Sequence, residues 1–228
     1  MKKFSLLFFT AFLICSISGC GFVKRNNKLS EKYTSETRGE FGFREIRAGN
    51  AVVLIVSVGE QYGITVEGEE SLLKDVKTET EGETLVITTK GKITPENKIR
   101  LKISMPELSS LELWGASEAT VTNARSDSLK LQAGGGSYLK IDGETKKLAA
   151  NANGSSRIDT ENLKAENVKA RTAGSSEITV FASGDLEAEA LGDQAGVAVD
   201  AQRQLGQVVA ADGKAVDIFE EVVGEQHV

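Results

Sequence analysis

Three acidic side chains, Asp142, Asp159 and Glu161, are the residues whose type and spacing come closest to an enzyme site in this chain. Each lies just beyond the alternating segment that ends a repeat, so neighbouring repeats could bring the three carboxylates together. Clustered carboxylates cleave glycosidic bonds by acid–base chemistry, and they can also bind calcium. A solvated turn is the simpler interpretation, and the Gly-rich aspartate repeats of calcium-binding β-rolls are missing.

Other catalytic patterns are incomplete in this sequence. The only histidine is His227, which leaves no histidine for a Ser-His-Asp triad or a metal site elsewhere in the chain. Gly134-Gly-Gly-Ser137 has the glycines of a phosphate loop, but such a loop needs a Lys-Ser/Thr pair and a following helix. The alternating residues after Ser137 predict a strand instead. We therefore predict no catalytic residue, no metal, no cofactor and a protein that is not an enzyme.

Two aromatic residues, Trp114 and Tyr138, are the candidates for binding a partner. They occupy related corner positions in neighbouring repeats, and an exposed aromatic pair can stack on sugar rings or anchor a protein. Packing at a wide end of the fold would explain the same residues. The candidate partners are a glycan or an envelope protein.

The elements that would position these residues are four copies of one phrase between residues 111 and 180. Each copy has alternating apolar residues, a cluster of Gly, Ala and Ser, and a second alternating pair. The copies align on Ser117, Ser137, Ser156 and Ser176, at intervals of 20, 19 and 20 residues. This period predicts an all-β solenoid of parallel strands, with small residues at corners where coils approach closely. Each corner serine is expected to bond to its equivalent in the next coil.

Shorter patterns flank the repeats. Strands are predicted over residues 43–46, 51–58, 62–68 and 98–105, a hairpin over 78–80 and 83–90, and a helical turn or strand step over 71–76. After Leu191, Gly192-Asp-Gln194 stands where Gly-Ser-Ser is expected. Residues 192–228 are either a native segment that caps the last coil or a frame-shifted end, and the sequence leaves both open.

The N-terminus predicts an export signal. Two lysines precede the apolar run of residues 4–17, which is too short to be a comfortable membrane span. The ending Ile17-Ser-Gly-Cys20 resembles a bacterial lipobox, in which Cys20 becomes the lipidated N-terminus. An ordinary secretory signal with a chance cysteine is the alternative. Residues 20–40 lack periodicity and predict a flexible tether.

Charge narrows the partners further. The chain carries 27 basic and 33 acidic residues, a formal net charge of −6. An acidic surface argues against nucleic acid and against electrostatic binding to anionic membranes. The predicted link to a membrane is therefore the lipid on Cys20.

An exported chain with a strand-rich lead, a proline-ended strand (Ile103-Ser-Met-Pro106) and Leu-x-Leu-x-Gly-x-Ser repeats resembles the auto-transporter adhesin head GIN domain family, DUF2807. The resemblance covers about residues 42–191. It implies a right-handed parallel β-solenoid with coils of about 20 residues on a secreted or lipid-anchored protein, and an adhesin role. It implies no particular site residues.

Together these patterns predict a lipoprotein signal peptide (residues 1–19), a lipidated Cys20 with its tether (20–40), a head GIN solenoid domain (41–191) and an atypical end (192–228). The predicted function is a lipid-anchored cell-envelope protein, in the outer membrane or at the cell surface, whose non-catalytic solenoid serves adhesion or envelope interaction. A polysaccharide-active β-helix enzyme, a lyase or a hydrolase, is the alternative. A purely structural spacer is a third possibility.

Overall fold

The structure, a computed structural model, describes residues 32–59, 61–91, 99–192 and 194–200. The strands are β1 (Tyr33–Arg38), β2 (Glu45–Ala48), β3 (Val52–Val58), β4 (Gly63–Glu69), β5 (Val76–Glu81), β6 (Thr84–Thr89), β7 (Ile99–Met105), β8 (Ser110–Leu113), β9 (Glu118–Ala133), β10 (Tyr138–Gly154), β11 (Arg157–Gly174), β12 (Glu177–Ala182), β13 (Leu186–Leu191) and β14 (Gly196–Asp200). The helix is α1 (Glu70–Leu73). Within these ranges, no helix is long and apolar enough to cross a membrane.

Parallel strands stack in two series, as the repeat predicts. The first series runs β7, β3, the first half of β9, the first halves of β10 and β11, then β12 and β14. The second runs β6, β2, β8, the second halves of β9, β10 and β11, then β13. Since β9, β10 and β11 each belong to both series, the chain coils from one to the other. The predicted all-β solenoid is confirmed.

The long strands bend at a second corner, where the sequence analysis favoured a solvated turn around Asp142, Asp159 and Glu161. The registers of β10 against β9 and β11 shift just before Gly143. Gly143 has a φ of +133°, and a Cβ atom there would lie 2.0 Å from the carbonyl oxygen of Ala124. Asn123 also has positive φ, +59°. Residues with positive φ therefore mark this bend in β9 and β10, and in β11 the register against β12 shifts at the corresponding place, between Thr160 and Lys164.

The core lies between the two series and follows the two-residue alternation. In β7 the buried positions are Ile99, Leu101, Ile103 and Met105, with Arg100 and Lys102 facing out. In the coils the inward positions are occupied by Leu, Ile, Val and many Ala, such as Ala150 and Ala152. Burying each Leu or Ile stabilises the fold by about 1.5–3 kcal/mol. The small alanines keep this interior narrow.

Antiparallel strands cover the N-terminal side of the solenoid. β4 pairs with β7, β1 pairs with β4, and β5 pairs with β6 through a turn at Gly82, whose φ is +63°. The predicted hairpin is therefore present. β1 lies within residues 20–40, so this part of the expected tether is a paired strand from Tyr33 to Arg38.

The stacking also continues past the expected boundary at residue 191. β13 pairs with β11 and β14 pairs with β12, both in parallel register. Residues 192 and 194–200 thus follow the path of the preceding coil. The rest of the expected atypical end, with His227, and the N-terminal residues that include Cys20 lie outside the described residues.

Candidate functional site

A column of glycines forms the corner of successive coils. Their φ angles lie between +76° and +130°, and they are Gly115, Gly135, Gly154, Gly174 and Gly192. The amide of Gly136 donates to the Gly115 carbonyl at 2.8 Å, and the amide of Ser155 donates to the Gly135 carbonyl at 2.7 Å. These amides therefore link one coil to the next, and they do not form a phosphate cradle at Gly134–Ser137.

A column of buried serines lies beside the glycines. Ser117, Ser137, Ser156 and Ser176 are all at most 2% exposed. The Oγ of Ser156 lies 2.9 Å from the Asn153 carbonyl in its own corner and 3.0 Å from the Ala133 carbonyl in the preceding coil. The sequence analysis expected each serine to bond to its equivalent in the next coil. The structure shows instead that the serines bond to backbone carbonyls. These hydroxyls are buried and structural, so they are not available to a ligand.

The structure reveals an earlier copy of the corner that sequence reasoning missed. In the register of β2 and β3, Ala48 lies opposite Leu113 and Leu54 lies opposite Ala119. Asn50, with a φ of +75°, takes the glycine position, and its backbone would contact a Cβ at Gly115. The available signal was the small cluster Gly49-Asn-Ala51 between two alternating segments.

Trp114 lies at the start of a corner with its indole ring held in place. The side chain is 46% exposed. Its Nε1 donates to Glu112 Oε1 at 2.8 Å, and a Cβ on Gly134 would come within 2.3 Å of the ring atoms Cε3 and Cζ3. The ring therefore packs on the bare backbone of Gly134 in the next coil. The ring is therefore held at Nε1 and at Cε3–Cζ3, and the side chain is still 46% exposed.

Tyr138 occupies a different position from Trp114. It is the first residue of β10, opposite Glu118 and Arg157, whereas Trp114 is level with Gly134. The two aromatics are thus at opposite ends of the corner, not at related positions. In the part of the chain that the structure describes, the one ring–ring contact is Phe43 with Tyr62, at 5.1 Å between centroids. The predicted binding role of Trp114 and Tyr138 stays a prediction.

Tyr138 belongs to a small polar cluster on the first series. Its hydroxyl donates to Asp159 Oδ2 at 3.3 Å, and Lys140 Nζ donates to the same oxygen at 3.0 Å. Burial would raise the pKa of Asp159, but hydrogen bonds from Lys140 and the Glu161 amide outweigh it and lower that pKa. Burial and the Asp159 charge raise the pKa of Tyr138.

The three candidate acids do not assemble into an acidic cluster. Asp159 lies opposite Lys140 in register and is paired with it. Asp142 Oδ1 accepts from the Asn123 amide at 2.7 Å, and Asp159 Oδ1 accepts from the Glu161 amide at 3.2 Å. Across residues 32–59, 61–91, 99–192 and 194–200, no group of three or more His, Cys, Asp or Glu residues is placed to hold a metal ion. Asp142 and Asp159 thus have local structural roles.

Outward charges elsewhere on the coils pair between neighbouring coils. The pairs are Arg125–Glu144 (2.9 Å), Lys146–Asp127 (2.8 Å), Lys169–Glu187 (2.6 Å), Arg171–Glu189 (3.1 Å) and Arg157–Glu177. Each exposed pair contributes only about 0–1 kcal/mol to stability. Their main effect is to neutralise the charge along the outer surface.

A polar groove of about 430 Å³ lies on the outer face of β2, β8 and β9. Its lining includes Arg47, Ser110, Glu112, Lys130 and Gln132. Arg47 Nε donates to Glu112 Oε2 at 2.9 Å, so Glu112 joins the groove to Trp114 through its two oxygens. Burial raises the pKa of Glu112, but the hydrogen bonds from Arg47 and Trp114 lower it further than burial raises it. The bond to Glu112 raises the pKa of Arg47.

Comparison with solved structures shows the same fold in bacterial proteins. The crystal structure of a putative adhesin from Bacteroides fragilis is similar with a TM-score of 0.62 and 16% identity, covering 79% of this chain and 94% of that one. A putative adhesin from Parabacteroides merdae is similar with a TM-score of 0.50 and 14% identity, over 79% and 94% of the two chains. No curated protein matches the chain.

Residues 42–195 match the family described as "Putative auto-transporter adhesin, head GIN domain", DUF2807. The match includes every coil from β2 to β13, together with the glycine and serine columns and the groove beside Trp114. It ends close to the boundary that the sequence resemblance gave. Since it spans more than half of the chain, the protein belongs to the auto-transporter adhesin head GIN domain family.

Proposed function

We propose that this protein is a lipid-anchored adhesin of the bacterial envelope, in which a non-catalytic β-solenoid presents a rigid surface to a glycan or an envelope protein. Membership of the head GIN family and the similarity to bacterial proteins described as adhesins support this role. The lipobox at Cys20 supports the anchor and an outer-membrane or cell-surface location. More than one acyl chain on that cysteine would make the attachment stable.

The observation that carries the proposal is the contrast between the coil surface and Trp114. Between coils, outward charges such as Lys169 and Glu187 are paired with each other. The Trp114 ring, in contrast, is fixed by Glu112 and Gly134 and is still about half exposed. Exposed aromatics in fixed orientations are typical anchors of binding surfaces. Tyr138, 36% exposed, is the second contact we propose.

The anchor is tested by cell fractionation of the full chain. We expect the protein in the membrane fraction, and we expect Cys20→Ala to leave it out of that fraction because the acyl carrier is lost. Cys15→Ala is the matched control, since it removes the other cysteine and should leave the protein in the membrane. If Cys20→Ala remains in the membrane fraction, the lipid anchor is wrong.

The adhesin role is tested by displaying the full chain on cells and measuring their adhesion to surfaces coated with glycans or envelope proteins. We expect adhesion above that of cells without the protein. Incubation of residues 21–228, which retain the compact unit Lys32–Val228, with polysaccharides is the second arm. Release of reducing sugar there would favour the enzyme alternative, and absence of adhesion to every surface would overturn the adhesin role.

A further inference from the structure

We propose that the groove on β2, β8 and β9, together with Trp114, is a binding site for a neutral hexopyranose chain. This inference rests on the proposed adhesin function and specifies its ligand class. The groove volume of about 430 Å³ is within the range of small-ligand sites. Trp114 is not itself in the groove lining, but Glu112 lines the groove and accepts the hydrogen bond from the indole, so the ring lies next to the groove.

Trp114 supplies a preorganised stacking platform. The C–H face of a pyranose ring packs on an aromatic face, and such packing gains most when the aromatic ring is already immobilised. Here the bond from Nε1 to Glu112 fixes one edge of the ring, and the absence of a side chain at Gly134 lets the ring atoms Cε3 and Cζ3 approach the next coil closely. A sugar therefore finds the ring in its bound orientation.

The groove supplies polar groups at the distance of one strand from that platform. Across the β8–β9 pairing, Lys130 lies opposite Ser110 and Gln132 lies opposite Glu112, and both line the groove. In the described ranges, the side chains of Lys130 and Gln132 make no hydrogen bond to protein. An ammonium group and an amide offer donors, and the amide oxygen offers an acceptor, for the hydroxyl groups of a sugar.

The charge balance of the groove favours a neutral chain over an acidic one. Three cationic side chains line it (Arg44, Arg47 and Lys130) beside four acidic ones (Glu45, Glu107, Glu112 and Asp127). Two of the cations are already paired, Arg44 with Glu83 at 2.7 Å and Arg47 with Glu112 at 2.9 Å. A polyanionic glycan needs unpaired cations, and in the described lining the remaining cation, Lys130, already interacts electrostatically with Glu112 and helps to lower its pKa. The groove therefore lacks the excess positive charge that an acidic polysaccharide requires.

The site is tested with residues 21–228 and a panel of hexasaccharides. Cellohexaose, maltohexaose, laminarihexaose and mannohexaose are the neutral probes, and hexagalacturonate is the acidic one. Trp114 is the only tryptophan, so a change in tryptophan emission reports on this site alone. We expect at least one neutral probe to shift the emission and to bind by calorimetry, with hexagalacturonate binding more weakly.

Variants then localise the binding. Trp114→Ala should weaken the neutral probe about tenfold or more, because the stacking platform is removed. Gln132→Ala should weaken it by a smaller factor. Tyr33→Ala, which removes an exposed aromatic on β1 outside the groove lining, is the matched control and should change affinity less than about twofold. Circular dichroism of each variant shows that it is folded.

Three outcomes would overturn the inference: none of the four neutral probes binds, Trp114→Ala binds as well as the wild type, or hexagalacturonate binds best. If cells displaying the full chain still adhere under any of these outcomes, the adhesin function stands and only this ligand and groove are wrong. If the cells do not adhere to any surface, the adhesin function itself fails.

Discussion

Replacing Gly154 by alanine tests whether the glycine column holds the coils together. Gly154 has a φ of +78°, and an added Cβ would lie 2.9 Å from the oxygen, 3.3 Å from the nitrogen and 3.4 Å from the Cα of Gly135. All three are backbone atoms, so no side-chain rotation can relieve the contact. The backbone of one coil, or the spacing between two coils, has to change to admit the methyl group.

The expected cost follows from two separate effects. The left-handed conformation costs an alanine about 1–2 kcal/mol, and overpacking by one methyl group costs about 1–3 kcal/mol more. An alanine also restricts the unfolded chain more than a glycine does, and this effect offsets the destabilisation by about 0.4–1 kcal/mol. Gly154→Ala should therefore lower the free energy of unfolding by about 1–5 kcal/mol, centred near 3 kcal/mol. A cost of that size is a large fraction of the stability of a typical domain.

Two control glycines separate the effects. Gly82 in the β5–β6 hairpin has a φ of +63°, but no atom lies within 4 Å of its would-be Cβ. Gly82→Ala should therefore show the conformational cost alone, about 1 kcal/mol. Gly39 has neither a positive φ nor a close neighbour, so Gly39→Ala should be neutral or slightly stabilising.

Urea unfolding of residues 21–228 and the three variants provides the measurement. Far-ultraviolet circular dichroism reports on the strands and tryptophan emission reports on the corner at Trp114, so coincident transitions would support two-state behaviour. The reasoning is refuted if Gly154→Ala costs no more than Gly82→Ala. If the two variants lost equal stability, the coils would have room for a methyl group at the corner. The glycines of the column would then be required only for their positive φ.

Two further predictions concern other groups in the coils. Ser156→Ala should lower the free energy of unfolding by about 1–3 kcal/mol in urea, because the buried Oγ also accepts from the Asn153 amide at 3.1 Å. The exposed Ser155→Ala is its control at about 0.5 kcal/mol or less, and equal costs would contradict the serine column. The lowered pKa of Asp159 stabilises the fold above its unfolded-state pKa, and this stabilisation is lost as the pH falls through the folded-state pKa. Asp159→Asn should therefore be less stable at neutral pH and should lose less stability on acidification, and identical pH profiles for the two proteins would contradict this.

The parts of the fold that the sequence predicted well are those in which burial is one-sided and repeated. Alternation over residues 98–105 predicted β7, because only alternate side chains enter the core. The spacing of the corner serines predicted the stacking of the coils, because each coil repeats the same buried positions every 19 or 20 residues. The corner copy around Asn50 was missed because 65 residues separate Ala48 from its register partner Leu113, so the period is hidden by inserted strands.

Other features were missed because they carry no periodic signal. In β1 every residue from Tyr33 to Arg38 is at least partly exposed, so the strand reads as a polar linker. A turn at Asp142 was expected, but the close approach of Gly143 to Ala124 in the neighbouring coil depends on the register and could not be predicted. For the site, the sequence identified Trp114 as an exposed corner aromatic. Its contacts with Glu112 and Gly134 depend on three-dimensional packing and could not be read from spacing.

The regularity of the coils also explains why recognition should concentrate where the repeat is broken. A residue that repeats in every coil meets its own equivalents above and below, so selection for stacking makes it small, buried or charge-paired, as in the glycine, serine and ion-pair columns. A bulky residue can enter a corner only where the next coil leaves space for it. Trp114 meets that condition because Gly134 presents no side chain beneath its ring. In the corner of the following coil, Asn153 is level with Gly134, one residue beyond the Ala152–Ala133 register pair, so a ring at position 134 would meet a side chain there. The single tryptophan therefore marks a corner whose packing permits an exposed, fixed indole, and a partner that needs an aromatic platform should bind there.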